Sequence, residues 1–109
     1  MNNAAGLSNI ENLAELIEVS PESTVSRAVF RGEGVNVILF AFDTGEGLTE
    51  HTAAVPVLVQ LLEGEAVVTA EGREVTLKPG GLVHFTAQLP HAVKVTAPSK
   101  MALFMLPQK

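Results

Sequence analysis

Polar and apolar positions divide this chain into two unlike parts. Near the start, Ile10, Leu13, Leu16 and Ile17 recur at helical spacing, which puts them on one stripe of a 3.6-residue period. Ser8, followed three residues later by Glu11, fits a capping box in which the two side chains satisfy N–H groups at a helix start. The pattern predicts a short amphipathic helix within 8–18, its stripe over 9–17, ended by Ser20-Pro21 and preceded by a loose segment at 1–7.

After residue 23 the period changes. The stretches 24–31, 35–42, 54–63, 66–70, 73–78, 82–86, 91–96 and 100–106 are rich in Val, Leu, Phe or Thr, and turns such as Glu71-Gly-Arg and Lys78-Pro-Gly-Gly separate them. Seven or eight strands in about 85 residues, with no second helix, predict an all-β sandwich or closed barrel. Val35-Asn-Val-Ile-Leu-Phe-Ala-Phe and Val57-Leu-Val-Gln-Leu-Leu are apolar on nearly every residue, whereas a one-sided sheet would alternate. One face of these strands is therefore expected to line an interior, and the other to lie under a second sheet or a partner subunit. A homodimer follows as the expected assembly. Gln60 interrupts the second run and falls on the face opposite Val57, so it reads as structural.

Composition narrows the function classes. A length of 109 residues with 47% hydrophobic content suits one domain over 1–109 with its own core. Seven basic against twelve acidic side chains leave a formal charge of −5 without any basic cluster, which argues against nucleic acid and against an anionic membrane surface as partner. There is no cysteine, hence no disulfide and no thiolate chemistry. Neither a signal-peptide pattern nor a long apolar run is present, so a cytoplasmic protein is expected.

Two glycine-bracketed segments, Gly45-Glu-Gly-Leu-Thr-Glu-His51 running to Gly64, and Gly80-Gly-Leu-Val-His-Phe-Thr-Ala-Gln-Leu-Pro-His91, carry a resemblance. They are similar to the two signatures of a small cupin (the RmlC-like cupin superfamily, type-2 conserved barrel). Glu50-His-Thr-Ala53, the Leu-Glu-Gly-Glu-Ala stretch and the Pro90-His91 step add to it, over residues 35 to 106. The resemblance implies a double-stranded β-helix (jelly-roll) barrel over 24–106 with a short N-terminal helix. In that family the first signature usually carries His-x-His and a glutamate as metal ligands, and the second a further histidine. Here His51 and His91 match, but Ala53 and Val57 stand where a second histidine and the glutamate would be. Thr86, Gln88 and Val95 depart from the second signature as well.

The chemistry implied is correspondingly reduced. Ala53 and Val57 offer no donor atom, so His51 and His91 would hold a divalent transition metal (zinc, iron, nickel or manganese) only weakly. The other reading makes both imidazoles neutral groups lining an apolar pocket, where they orient a small polar or acidic molecule or act as acid and base. His84 offers a third histidine. If 82–86 and 91–96 form a hairpin, His84 faces Val93 and shares the face of His91; a loop one residue longer or shorter sends it to an outer or dimer-facing surface. Val57, Val59, Phe40 or Phe42, and Met101 or Met105 are candidate pocket lining or ordinary core. Glu46 and Glu50 are candidates to orient the His51 ring. Three functions follow: a small-molecule binding protein, a metal-dependent enzyme of dioxygenase or isomerase type acting on a small organic acid, or an accessory dimeric domain with a vestigial pocket. The sequence does not decide whether the protein is an enzyme.

Overall fold

The computed structural model describes residues 6–107, so the segment expected to be loose at 1–7 lies almost wholly outside the described residues. A 3₁₀ turn at Leu13–Leu16 is followed by nine strands: β1 (Thr24–Arg31), β2 (Asn36–Phe42), β3 (Gly47–His51), β4 (Val57–Glu63), β5 (Ala66–Ala70), β6 (Arg73–Leu77), β7 (Leu82–Phe85), β8 (His91–Val95) and β9 (Ser99–Met105). They form a five-stranded sheet in the order β1-β2-β9-β4-β7 and a four-stranded sheet in the order β3-β8-β5-β6, all pairs antiparallel. The two sheets face each other as a jelly-roll barrel. No helix among the described residues is long and apolar enough to cross a membrane.

Alternation places the core between the sheets. In β4, Val57, Val59 and Leu61 are buried, while Leu58, Gln60 and Leu62 point outward and are half-buried. Phe42, Val57, Val59, Leu61 and Met101 are each at most 1% exposed, so none borders a void that water could enter. The barrel centre is packed with side chains.

The second apolar face has a cover from within the chain. Val37, Leu39, Ala41 and Ala102 form a separate buried cluster under Ile17, with Leu13, Leu16 and Val19 beside it. This explains why β2 is apolar on both faces without invoking a partner there. The same segment accounts for a shorter helix than expected. Asn12, not Ser8, caps the turn, its side chain accepting the N–H of Ala14 at 3.1 Å, and Ile17 is already extended. In an α-helix the carbonyls of Ala14 and Leu16 would accept bonds from the next turn. Here Lys100 Nζ donates to Ala14 O at 2.8 Å and Arg27 Nη1 to Leu16 O at 2.7 Å. Side chains of the sheet have taken the helix's acceptors, and Pro21 disfavours the helical region for Ser20.

Strand β3 lies in the first glycine-bracketed segment, outside the stretches expected as strands. Its Gly47 is required by proximity rather than by turning: a Cβ there would collide with the Val93 carbonyl of the paired strand.

Candidate functional site

The histidine pair is assembled by the pairing of β3 with β8. A register shift between Leu48 and His51 brings His51 directly opposite His91, on the inner face of the four-stranded sheet. The rings meet edge to face, centroids 4.4 Å apart and planes 61° apart. Phe85, reaching across from the other sheet, stacks on His91 with centroids 4.1 Å apart and planes 9° apart. His91 is thereby only 3% exposed, whereas His51 is exposed at the barrel mouth.

Each ring is held by the same local device. His51 Nδ1 lies 2.7 Å from the carbonyl of Thr49, and His91 Nδ1 lies 2.8 Å from the carbonyl of Leu89. A carbonyl oxygen only accepts, so both Nδ1 atoms carry the hydrogen and donate. Nε2 of each ring is left as the functional nitrogen. No buried side-chain nitrogen or oxygen among the described residues lacks a partner, so the small exposure remaining to His91 includes its Nε2. The carboxylates considered for orienting His51 act elsewhere: Glu46 accepts from Thr24 Oγ1 at 3.4 Å, Glu50 is exposed, and a backbone carbonyl holds the ring instead.

His84 does not join the pair. Strands β7 and β8 form no hairpin; β7 pairs with β4, placing His84 opposite Leu58, while β8 pairs with β3 and β5 in the other sheet. Phe85 points inward and is buried, so alternation turns His84 outward, where it is exposed. The chain between them crosses from one sheet to the other, and the Gln88 N–H is anchored to the Ala53 carbonyl at 2.8 Å. The topology thus places His84 apart from His51 and His91. Among the described residues no group of three or more His, Cys, Asp or Glu side chains could hold a metal ion. Two imidazoles, with Ala53 and Val57 at the other two positions of the expected ligand set, do not fit a resident zinc, whose catalytic sites take three protein ligands. Val57 is 1% exposed and cross-strand from Phe85, forming a floor to the Phe85 ring. Phe40 packs inside the barrel against Phe42, rings 5.8 Å apart.

One residue of this row does not stand out in the sequence. The pairings run His51 to His91, His91 to Ala70 and Ala70 to Arg73 across all four strands. Directly opposed residues share a face, so Arg73 stands on the inner row with the histidines. The signal is present in the loop Glu71-Gly72, both at positive φ (55° and 71°), as a two-residue hairpin turn demands. Beside it opens a cavity of about 220 Å³ lined by Ala70, Arg73, Val75, Phe85 and Leu89 among others. A larger concavity of about 640 Å³ lies along the outer face of the four-stranded sheet, at Thr49, Val67, Thr69, Ala92 and Lys94, and contains neither histidine.

Comparison with known proteins agrees with this architecture. The sequence model of the family described as "Cupin domain" matches residues 38–107. A cupin superfamily protein of Desulfitobacterium hafniense DCB-2 superposes with a TM-score of 0.84 at 29% identity, covering 95% of this chain and 100% of its own. A cupin 2 conserved barrel domain protein from Leptotrichia buccalis gives 0.81 at 31% identity, over 88% of this chain and 47% of the larger protein. A protein from Thermus thermophilus gives 0.79 at 28% identity, over 92% and 98%. No curated protein matches the sequence significantly.

Proposed function

We propose, from the premise that this chain belongs to the cupin domain family, that it binds a small polar or acidic organic molecule at the mouth of its barrel, oriented by His51 and His91. The observation that carries this reading is the matched tethering of the two rings. Both Nδ1 atoms are committed to carbonyls two residues upstream, and both Nε2 atoms are left to meet a ligand. The packed barrel centre supports a site at the mouth rather than deep inside.

Thermal-shift screening of small organic acids and polyols tests the proposal. A ligand at a hundred times its Kd stabilises a protein by about 2.7 kcal/mol, and His51→Ala is expected to abolish the shift while leaving the unliganded Tm nearly unchanged. A hit with equal shifts in the wild type and in His51→Ala and His91→Ala variants would overturn it. Metal content separates this reading from a metal-dependent enzyme: substoichiometric metal is expected, and one chelator-resistant transition metal per chain would refute the expectation. The homodimer remains part of the proposal. Leu82, 55% exposed, and half-buried Leu58 lie on the outer face of the larger sheet, outside the cluster that the N-terminal segment covers. Sedimentation velocity at micromolar concentration decides it.

A further inference from the structure

We propose that the ligand is specifically a small carboxylate with an apolar body, its carboxylate gripped by Arg73 and its body seated in the 220 Å³ cavity between the edges of the two sheets. The proposal rests on the reading of the barrel mouth as a ligand site and adds to it a residue and a chemical class. Strands β6 and β7 are the edges of their sheets and are not hydrogen-bonded to each other, so the cavity opens along their seam. Its walls are Ala70, Val75, Val83, Phe85 and Leu89, which offer no polar side-chain atom. Arg73 is exposed at the rim beside these walls, so a carboxylate paired with it would have apolar surface on one side and water on the other, and the pair would keep more strength than one with water all round.

Arg73 is available for this role. Its side chain makes no ion pair or hydrogen bond with any described residue, although Glu71, in the adjoining turn, lines the rim and is equally unpaired. His84 is the third polar group at the rim and faces outward. The planar fork of arginine matches a carboxylate with two parallel hydrogen bonds. Ala70, the one residue between Arg73 and His91 in the row, carries only a methyl group, and the cavity itself is lined by neither His51 nor His91. Phe85 belongs to both places: it walls the cavity and stacks on His91.

Hexanoate and its neutral isostere hexanamide, titrated into labelled protein and followed by amide chemical shifts, test the inference. Hexanoate is expected to perturb Ala70, Arg73, Val83 and Phe85 saturably. Arg73→Gln is expected to bind it about tenfold weaker, the loss of one charge-assisted hydrogen bond, and to bind hexanamide as the wild type does. Val83→Phe, which fills the cavity, is expected to lose both. Absence of saturable shifts with hexanoate, or equal affinity in the wild type and Arg73→Gln, overturns the inference. The two proposals fail separately: binding lost in Arg73→Gln but unchanged in His51→Ala keeps the Arg73 site and removes the histidine reading, and the converse does the opposite.

Discussion

Replacing Gly64 with alanine probes how tightly the end of the first glycine-bracketed segment is built. Gly64 has φ 91°, and a Cβ there would overlap Ser99 Oγ and the Pro98 carbonyl. Ser99 is fully buried, and its hydroxyl accepts from the Glu65 N–H at 3.1 Å and donates to Ala97 O at 2.7 Å. Gly72 supplies an internal control, since it too has positive φ (71°) but nothing within 4 Å of its Cβ position. Gly72→Ala should therefore cost only the left-handed backbone term, about 1–2 kcal/mol. Gly64→Ala carries that same term plus about 1–3 kcal/mol of forced overpacking. The sum of about 2–5 kcal/mol is a large part of the roughly 5–15 kcal/mol that holds a domain folded. Urea unfolding at equal m-value reads the difference, expected to place the Gly64→Ala midpoint about 1 M below that of Gly72→Ala. In a Ser99→Ala background the Gly64→Ala penalty should shrink but not vanish, because the nearest of the three clashing atoms has gone while Pro98 O and the Cβ of residue 99 remain. Equal midpoints for the two alanine variants would refute the reasoning.

Other outcomes follow from single contacts. Lys100→Met removes the bond to Ala14 O and the longer ion pair with Glu63 at 3.8 Å, with Lys100 only 9% exposed, and should cost about 1.5–3 kcal/mol while speeding hydrogen exchange at residues 13–19 ahead of the strands; unchanged exchange there would contradict the account of the short turn. Phe85→Ala should destabilise by about 3–5 kcal/mol and raise the solvent accessibility of His91, read by its reactivity towards diethyl pyrocarbonate. On the acid side, the N–H groups of Glu22 and then Thr44 hold the Asp43 carboxyl below its ordinary value of 3.8. Lys78, and then Thr96, do the same for Glu65. Because the folded values are lowered, each contributes stability above its unfolded value, and that stability is lost as pH falls through the folded one. Asp43→Asn should therefore flatten the decline of the denaturation midpoint below about pH 4, and an unaltered acid limb would count against these bonds.

Strand positions are largely legible because runs rich in Val, Leu, Phe or Thr are set off by turn residues, although in Val57 to Leu62 the period of two appears only in the burial and not in the residue types. Pairing is not. The stretch between Phe85 and His91 is short enough to look like a hairpin, yet its two strands belong to different sheets, and no local pattern distinguishes a turn from a crossing. An orientation for His84 argued from that hairpin comes out reversed. Strand β3 escapes notice because Gly47 and Glu50 have weak strand preference and Leu48 is its one apolar side chain. Its existence depends on contacts with β8, forty or more residues away. His51 and His91 are recognisable by type and spacing, but their common tethering through Nδ1 exists only in three dimensions. Arg73 is the reverse case: the turn at Glu71-Gly72 and the alternation Ala66, Val68, Ala70 contain its placement, but a charged residue beside a turn reads as solvated.

Strand β9 occupies the middle of the five-stranded sheet, between β2 and β4, although it is the last strand in chain order among the described residues. During synthesis, β2 and β4 have no common neighbour until residues 99–105 emerge from the ribosome. Until then their apolar edges are unpaired and open to association with other chains. Assembly of this sheet therefore awaits β9, and a nascent chain stalled before residue 99 should depend on chaperones to stay soluble. Nonlocal pairing of this kind also slows folding in isolation, so completion of the barrel is set by how soon β9 finds the gap left for it.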